Sequence, residues 1–164
     1  MDLRQHTLAI LMRRHWLETD KILEAGLEVV FKQKIERQRG KMYLKTMPNL
    51  EQTTQAQKYL NRGLMPMPQS MAAQKLNELM LCVVKPKGET VGTLQARCSQ
   101  IASELGELPA DILLAVINKI KLEETFFPPL VKFIEYSDFY MTNRKKMQEM
   151  ITTYHQHLER KNDG

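Results

Sequence analysis

"LPADILLAVINKIKLEETFFPPL", residues 108–130, is the stretch on which the reading of this chain turns. Pro109 stands where the first turn of a helix tolerates a residue without an N–H, and Asp111 follows near the electropositive end of that helix. Ile112, Leu113, Val116, Ile117 and Ile120 then recur at the spacing of one buried helical face. "KLEET" breaks the run, and Phe126 and Phe127 meet Pro128 and Pro129 before the apolar spacing resumes. The pattern predicts helix, short break, helix. Both phenylalanines are expected to plug the core at the corner, and one of the two prolines to start the next helix.

Working outward from it, Val91, Leu94, Cys98, Ile101, Ala102 and Leu105 form one face of a preceding helix, with Thr90 as its N-cap and Gly106 at its C-terminal end. Ahead of "KPKGE" (85–89), Ala72, Leu76, Leu79, Met80 and Val83 make another amphipathic helix, for which Ser70 is the expected cap. The breaker "GLMPMPQS" marks a boundary between a basic N-terminal helical region, 1–62, and a helical core module, 63–164. In the first region Leu8, Met12, Trp16, Leu23, Leu27, Val30, Phe31 and Ile35 fall on one stripe. They predict one long helix or two over 3–38, stopped by Gly40, with a short polar helix over 49–61. At the other end, Leu130, Phe133, Ile134, Tyr140 and Met141 begin a long final helix whose stripe continues through Met147, Met150, Ile151, Tyr154 and Leu158. Strand-like alternation is nearly absent and no internal repeat occurs. The expected fold is all-α, a small helical bundle with long N-terminal and C-terminal helices.

With 43% apolar residues in 164, the chain can bury a real core. No run reaches the ~18 apolar residues of a membrane helix, and "MDLRQHTLAILMRRHWLE" does not read as a secretory signal. Two cysteines and eleven methionines fit a reduced, cytoplasmic setting. The net charge of +5 belongs to residues 1–62, which hold twelve Lys/Arg against seven Asp/Glu, whereas the remainder is neutral. It peaks in "FKQKIERQRGKMYLK" (31–45), read as a basic helix carrying Lys32, Lys34, Arg37, Arg39, Lys41 and Lys45. Non-specific nucleic-acid contact, or contact with an acidic partner, is one reading of that strip; a solvated helix end with cations near the dipole is the other.

The chemistry of catalysis is not written here. His6 and His15 lie nine apart, and His155 and His157 point to different sides of a helix, so neither pair makes a metal site. Phosphate-cradling and nucleophile-elbow motifs are missing, and Glu123 and Glu124 read as surface carboxylates in a break. No enzyme activity, cofactor or metal is expected. "IASELGELPADILLAVINKI" has the small-residue, turn-glycine and anchor spacing of a helix-turn-helix. Its second helix, however, would present Ala110, Asp111, Leu114, Asn118 and Lys121, leading with a carboxylate that a duplex repels.

The order "MAAQKLNELMLCVV", "ELGELPADILLAVINKI", "FFPPLVKFIE" over 70–140 resembles small helical proteins of phages and prophages related to replicative-helicase loaders. In these, L-P-x-D opening a helix and F-F-P before the next helix recur. The second proline of "FFPP" and the isoleucine-rich helix depart from that pattern. The residues that carry the resemblance are Leu108, Pro109, Asp111, Phe126, Phe127 and Pro128, and their expected roles are architectural. The resemblance implies a non-enzymatic adaptor that binds a replicative helicase and assists its delivery to DNA. A nucleic-acid-binding helical regulator and a self-associating structural phage protein are the alternatives.

Overall fold

The computed structural model describes residues 17–163, so Leu8, Met12, Trp16, His6 and His15 lie outside the described residues. The described chain is mostly helical: α1 (Glu18–Phe31), α2 (Leu50–Gly63), α3 (Gln69–Cys82), α4 (Val91–Glu104), α5 (Ala110–Glu123) and α6 (Leu130–Asn162), with one two-stranded ribbon, β1 (Glu36–Gln38) and β2 (Lys41–Tyr43). It divides into two compact units, one of residues up to Gly63 together with those from Met141, the other Leu64–Tyr140. The units meet in sequence between Gly63 and Leu64 and again between Tyr140 and Met141. The final helix, however, does not belong to the core module alone, because its C-terminal half supplies core to the first unit.

In the discontinuous unit, Leu27, Phe31, Ala56, Leu60, Met147, Met150 and Ile151 are buried. Here the structure corrects the helix expected over 3–38. α1 stops at Phe31 because Lys32 turns left-handed (φ 56°), and the N–H groups of Lys32 and Gln33 return to Val29 O and Glu28 O, both at 3.3 Å. This is a Schellman-type ending, and such endings usually use glycine. The chain then forms an antiparallel hairpin in register Glu36↔Tyr43, Arg37↔Met42, Gln38↔Lys41. Arg39 and Gly40 both take positive φ (52° and 76°), as a two-residue primed turn requires. Ile35, Met42 and Leu44 face inward. Two side chains pin the ribbon. Gln33 donates to Thr46 O (2.8 Å) and accepts from Thr46 N–H (3.1 Å), while the Tyr154 hydroxyl accepts from Leu44 N–H (2.9 Å) and donates to Leu44 O (3.3 Å). α2 opens on a reciprocal cap between Asn49 and Gln52 (2.8 and 3.0 Å).

This unit also buries an ion pair. Arg144 Nε donates to Asp20 Oδ1 at 2.9 Å, with the two side chains 1% and 0% exposed. The remaining guanidinium donors reach Gly63 O and Thr19 Oγ1, each at 2.9 Å, and Asp20 Oδ2 accepts from Leu17 N–H at 3.3 Å. Each of the three guanidinium nitrogens therefore donates to an oxygen, the kind of added hydrogen bonding under which a buried pair is tolerated.

The continuous unit has a largely apolar interior, with Ser137 its one buried polar side chain. The predicted stripe of α5 is buried residue for residue, and Ala72, Leu76, Leu79, Leu94, Cys98, Ile101, Ala102 and Leu105 pack within the same unit. Burial pushes the Cys98 thiol up, against the weaker opposing pull of Arg97. Thr90 caps α4 as expected, accepting from Thr93 N–H at 3.1 Å. Two other starts differ: Pro68, not Ser70, is the N-cap of α3, and Pro109 occupies the N-cap of α5 rather than its first turn. In both, the proline carbonyl accepts the first helical bond, from Ala72 and Leu113 N–H (3.0 Å each). Gly106 follows the C-cap Leu105 with a negative-φ backbone, and its freedom is steric: a Cβ there would lie 3.2 Å from Ser103 O.

Candidate docking site

The "FFPP" corner connects α5 to α6, and short backbone pairing holds it in place. Val84 N–H donates to Thr125 O (2.9 Å) and Phe127 N–H to Val84 O (3.0 Å), a parallel bridge between Val84 and Phe126. Because successive side chains in extended chain alternate sides, the two phenylalanines separate. Phe127 is 2% exposed and packs on Phe133 with ring centroids 5.8 Å apart; Pro128 is buried beside it. Phe126 is 55% exposed. The expectation that both plug the core therefore holds for Phe127 and fails for Phe126. Leu108 and Asp111 are half-buried and Pro109 is buried, shaping the start of α5 away from this corner in sequence.

Other exposed apolar residues belong to the same unit as Phe126. Val84, its bridge partner, is 52% exposed, Leu81 at the end of α3 82%, and Leu122 at the end of α5 83%. Inside the corner lies a cleft of about 550 Å³, lined by Pro86, Phe126, Phe127, Pro128 and Pro129 and by the charged side chains of Glu89, Arg97, Glu123, Glu124 and Lys132. Arg97 organises it: one nitrogen bonds Glu89 Oε1, another donates to Pro128 O (2.8 Å), and the guanidinium lies 5.3 Å from the Phe127 ring centroid. Glu123 and Glu124, expected to be unpartnered in a solvated break, are held. Glu123 pairs with Lys119, whose hydrogen bond keeps its carboxyl below the usual range. The Tyr136 hydroxyl reaches both glutamates, at 3.3 and 3.0 Å. Burial, then the hydrogen bond and charge of Glu124, push Tyr136 up to about 12. Neither Glu89 nor Arg97 was singled out by sequence reading. Their eight-residue separation across the Thr90 cap carries no periodic signal.

The predicted basic helix is corrected to the hairpin, and its six cations do not act alike. Arg37 pairs with Glu24 at 2.6 Å and Lys45 with Glu36 at 3.5 Å. Lys32, Lys34, Arg39 and Lys41 are exposed and have no carboxylate partner among the described residues. Lys41 lines a smaller cleft of about 230 Å³ together with Lys146, Glu149 and Tyr154. His155 meets Thr53 Oγ1 at 2.9 Å and Glu159 at 3.1 Å, joining α2 to α6 within the discontinuous unit. Among the described residues no group of three or more His, Cys, Asp and Glu is placed to hold a metal ion, and no helix is long and apolar enough to cross a membrane. Comparison with protein-family models, curated proteins and solved structures gives no significant match.

Proposed function

We propose that this chain is a non-enzymatic helical adaptor of phage or prophage origin that docks on a replicative helicase and assists its loading in DNA replication. The helicase enters through the resemblance of 70–140; the docking surface is our reading of the corner itself. One observation carries it. The backbone on either side of Phe126, a motif residue, makes two hydrogen bonds to Val84 that turn its ring out of the core, and Val84, Leu81 and Leu122 of the same unit are exposed as well. A large aromatic presented to solvent on a hydrogen-bonded backbone has less main-chain freedom to lose when a partner arrives, which lowers the cost of binding.

The test is affinity capture from the native host with the wild-type chain and with Phe126→Ser. A hexameric helicase should be retained by the first and weakened about 30-fold or more by the second, the size of an interface hot spot. Absence of the helicase, or equal capture by both chains, would sink the reading. A second reading, nucleic-acid contact, is favoured by Lys32, Lys34, Arg39 and Lys41, four cations in and just ahead of the hairpin with no carboxylate partner among the described residues. It requires retention on DNA that falls steeply with salt and is lost when Lys34, Arg39 and Lys41 are reversed to glutamate.

A further inference from the structure

We infer that the basic hairpin binds single-stranded nucleic acid, with Lys32 and Arg39 contacting phosphates and Tyr43 offering its ring to a base. This rests on the nucleic-acid reading above, and names the form of nucleic acid and the residues that meet it.

The two corners of the ribbon carry the observation. Lys32, where α1 ends, and Arg39, in the hairpin turn, are the two non-glycine residues with positive φ (56° and 52°) among the described residues. A left-handed backbone is unfavourable for a residue with a Cβ, and glycine or asparagine is the usual occupant of both kinds of corner. Each corner therefore accepts strain for a cation that the turn does not itself require, and tolerated strain of this kind points to function. Both side chains are exposed and have no carboxylate partner among the described residues. Segment 32–45 holds six cations against one carboxylate, Glu36, and Lys45 matches that one at 3.5 Å. Arg37 is taken by Glu24 of α1, which leaves Lys32, Lys34, Arg39 and Lys41 for an anion from outside. At the tip, Lys41 shares its cleft of about 230 Å³ with Lys146 of α6, which also has no carboxylate partner among the described residues. Glu149 is the one acid lining that cleft.

The register favours a single strand over a duplex. Lys41 and Tyr43 are two apart on β2 and share a side, while the buried Met42 between them points to the other. Tyr43 is half-buried; among the described residues its hydroxyl has no hydrogen bond and its ring meets no other ring or cation. An aromatic ring beside a cationic strip is a platform for an unpaired base, whereas in a duplex the base faces are already covered.

The probe is a fluorescein-labelled oligothymidylate, titrated into the full chain at several salt concentrations and followed by anisotropy, with a duplex of equal length as control. Affinity should fall with salt. Lys32→Gly and Arg39→Gly should each reduce the slope of log affinity against log salt by about 0.7. Their melting temperatures should be unchanged or higher, because glycine relieves both corners. Tyr43→Ala should weaken binding of the single strand about fivefold or more, and Tyr43→Phe should restore it. Glycine variants that bind like wild type overturn the proposal. So do glycine variants that lose melting temperature along with binding, which would make the two cations structural, as charges favourable at a helix end are. Equal binding by Tyr43→Ala, or a duplex held as tightly as the single strand, also overturns it and leaves the broader nucleic-acid reading standing. No salt-sensitive binding to either form removes both.

Discussion

The two units of this chain invert each other's chemistry. The discontinuous unit, over its described residues, holds fourteen Lys/Arg against nine Asp/Glu; the continuous one holds seven against nine. The first hides Asp20, Glu24, Thr53, Asn143 and Arg144, whereas the second buries only Ser137 among its polar side chains. Exposed large apolar residues run the other way. Ile22, Val29 and Met47 belong to the first unit, and the other eleven, Phe126 among them, belong to the second. One unit thus puts polarity inside and charge outside, and the other puts apolar surface both inside and outside. A largely apolar interior is tolerant and generic, while exposed apolar surface held on a fixed backbone is a specific cost that docking can offset.

The sharpest way to break this contrast is at Arg144. Arg144→Met should cost about 3–5 kcal/mol, because it removes the guanidinium that neutralises the buried Asp20. Adding Asp20→Leu should recover most of that loss, as read by urea midpoints. If the single variant costs nothing, the polar interior is ornamental. In the continuous unit, Phe127→Ala should cost about 3–5 kcal/mol by leaving a core cavity, while Phe126→Ser stays within about 0.5 kcal/mol of wild type. Equal costs would mean that Phe126 is core after all. Thr90→Ala, removing the cap of α4, should cost about 1 kcal/mol.

The smallest effect is a pH dependence. Tyr136 is raised in the folded chain from 10.0 to about 12, so the neutral phenol is the form the fold favours. Its contribution is fully present below pH 10 and is lost as pH rises through about 12. Urea midpoints of wild type and Tyr136→Phe should therefore differ in slope across that window and nowhere below it.

Much of the continuous unit was legible before any coordinates, because its helices have clean 3.6-residue stripes and recognisable breaks. The face of α5 and the cap at Thr90 follow directly from residue type and spacing. The hairpin was not legible for a physical reason. Leu27, Phe31 and Ile35 keep helical spacing, and the residue that ends α1 is Lys32, a lysine where a glycine would have announced the turn. Met42 and Leu44 alternate, but two residues are too short a run to outweigh the stripe before them. Phe126 and Phe127 are chemically identical, and only the pairing with Val84 decides which ring faces solvent. The Glu89–Arg97 contact and the Asp20–Arg144 pair link residues that no local pattern joins.

The last of these pairs also sets a timetable. Asp20 and Arg144 lie 124 residues apart, so at ~5–20 residues per second a ribosome needs on the order of ten seconds to deliver the second after the first. The first unit's residues up to Gly63 are all made well before Arg144. The N-terminal helices must therefore wait through that interval with an aspartate that is cheap to hydrate and costly to bury. Until Arg144 is made, the cost of burying a charged carboxylate opposes closure of this part of the core.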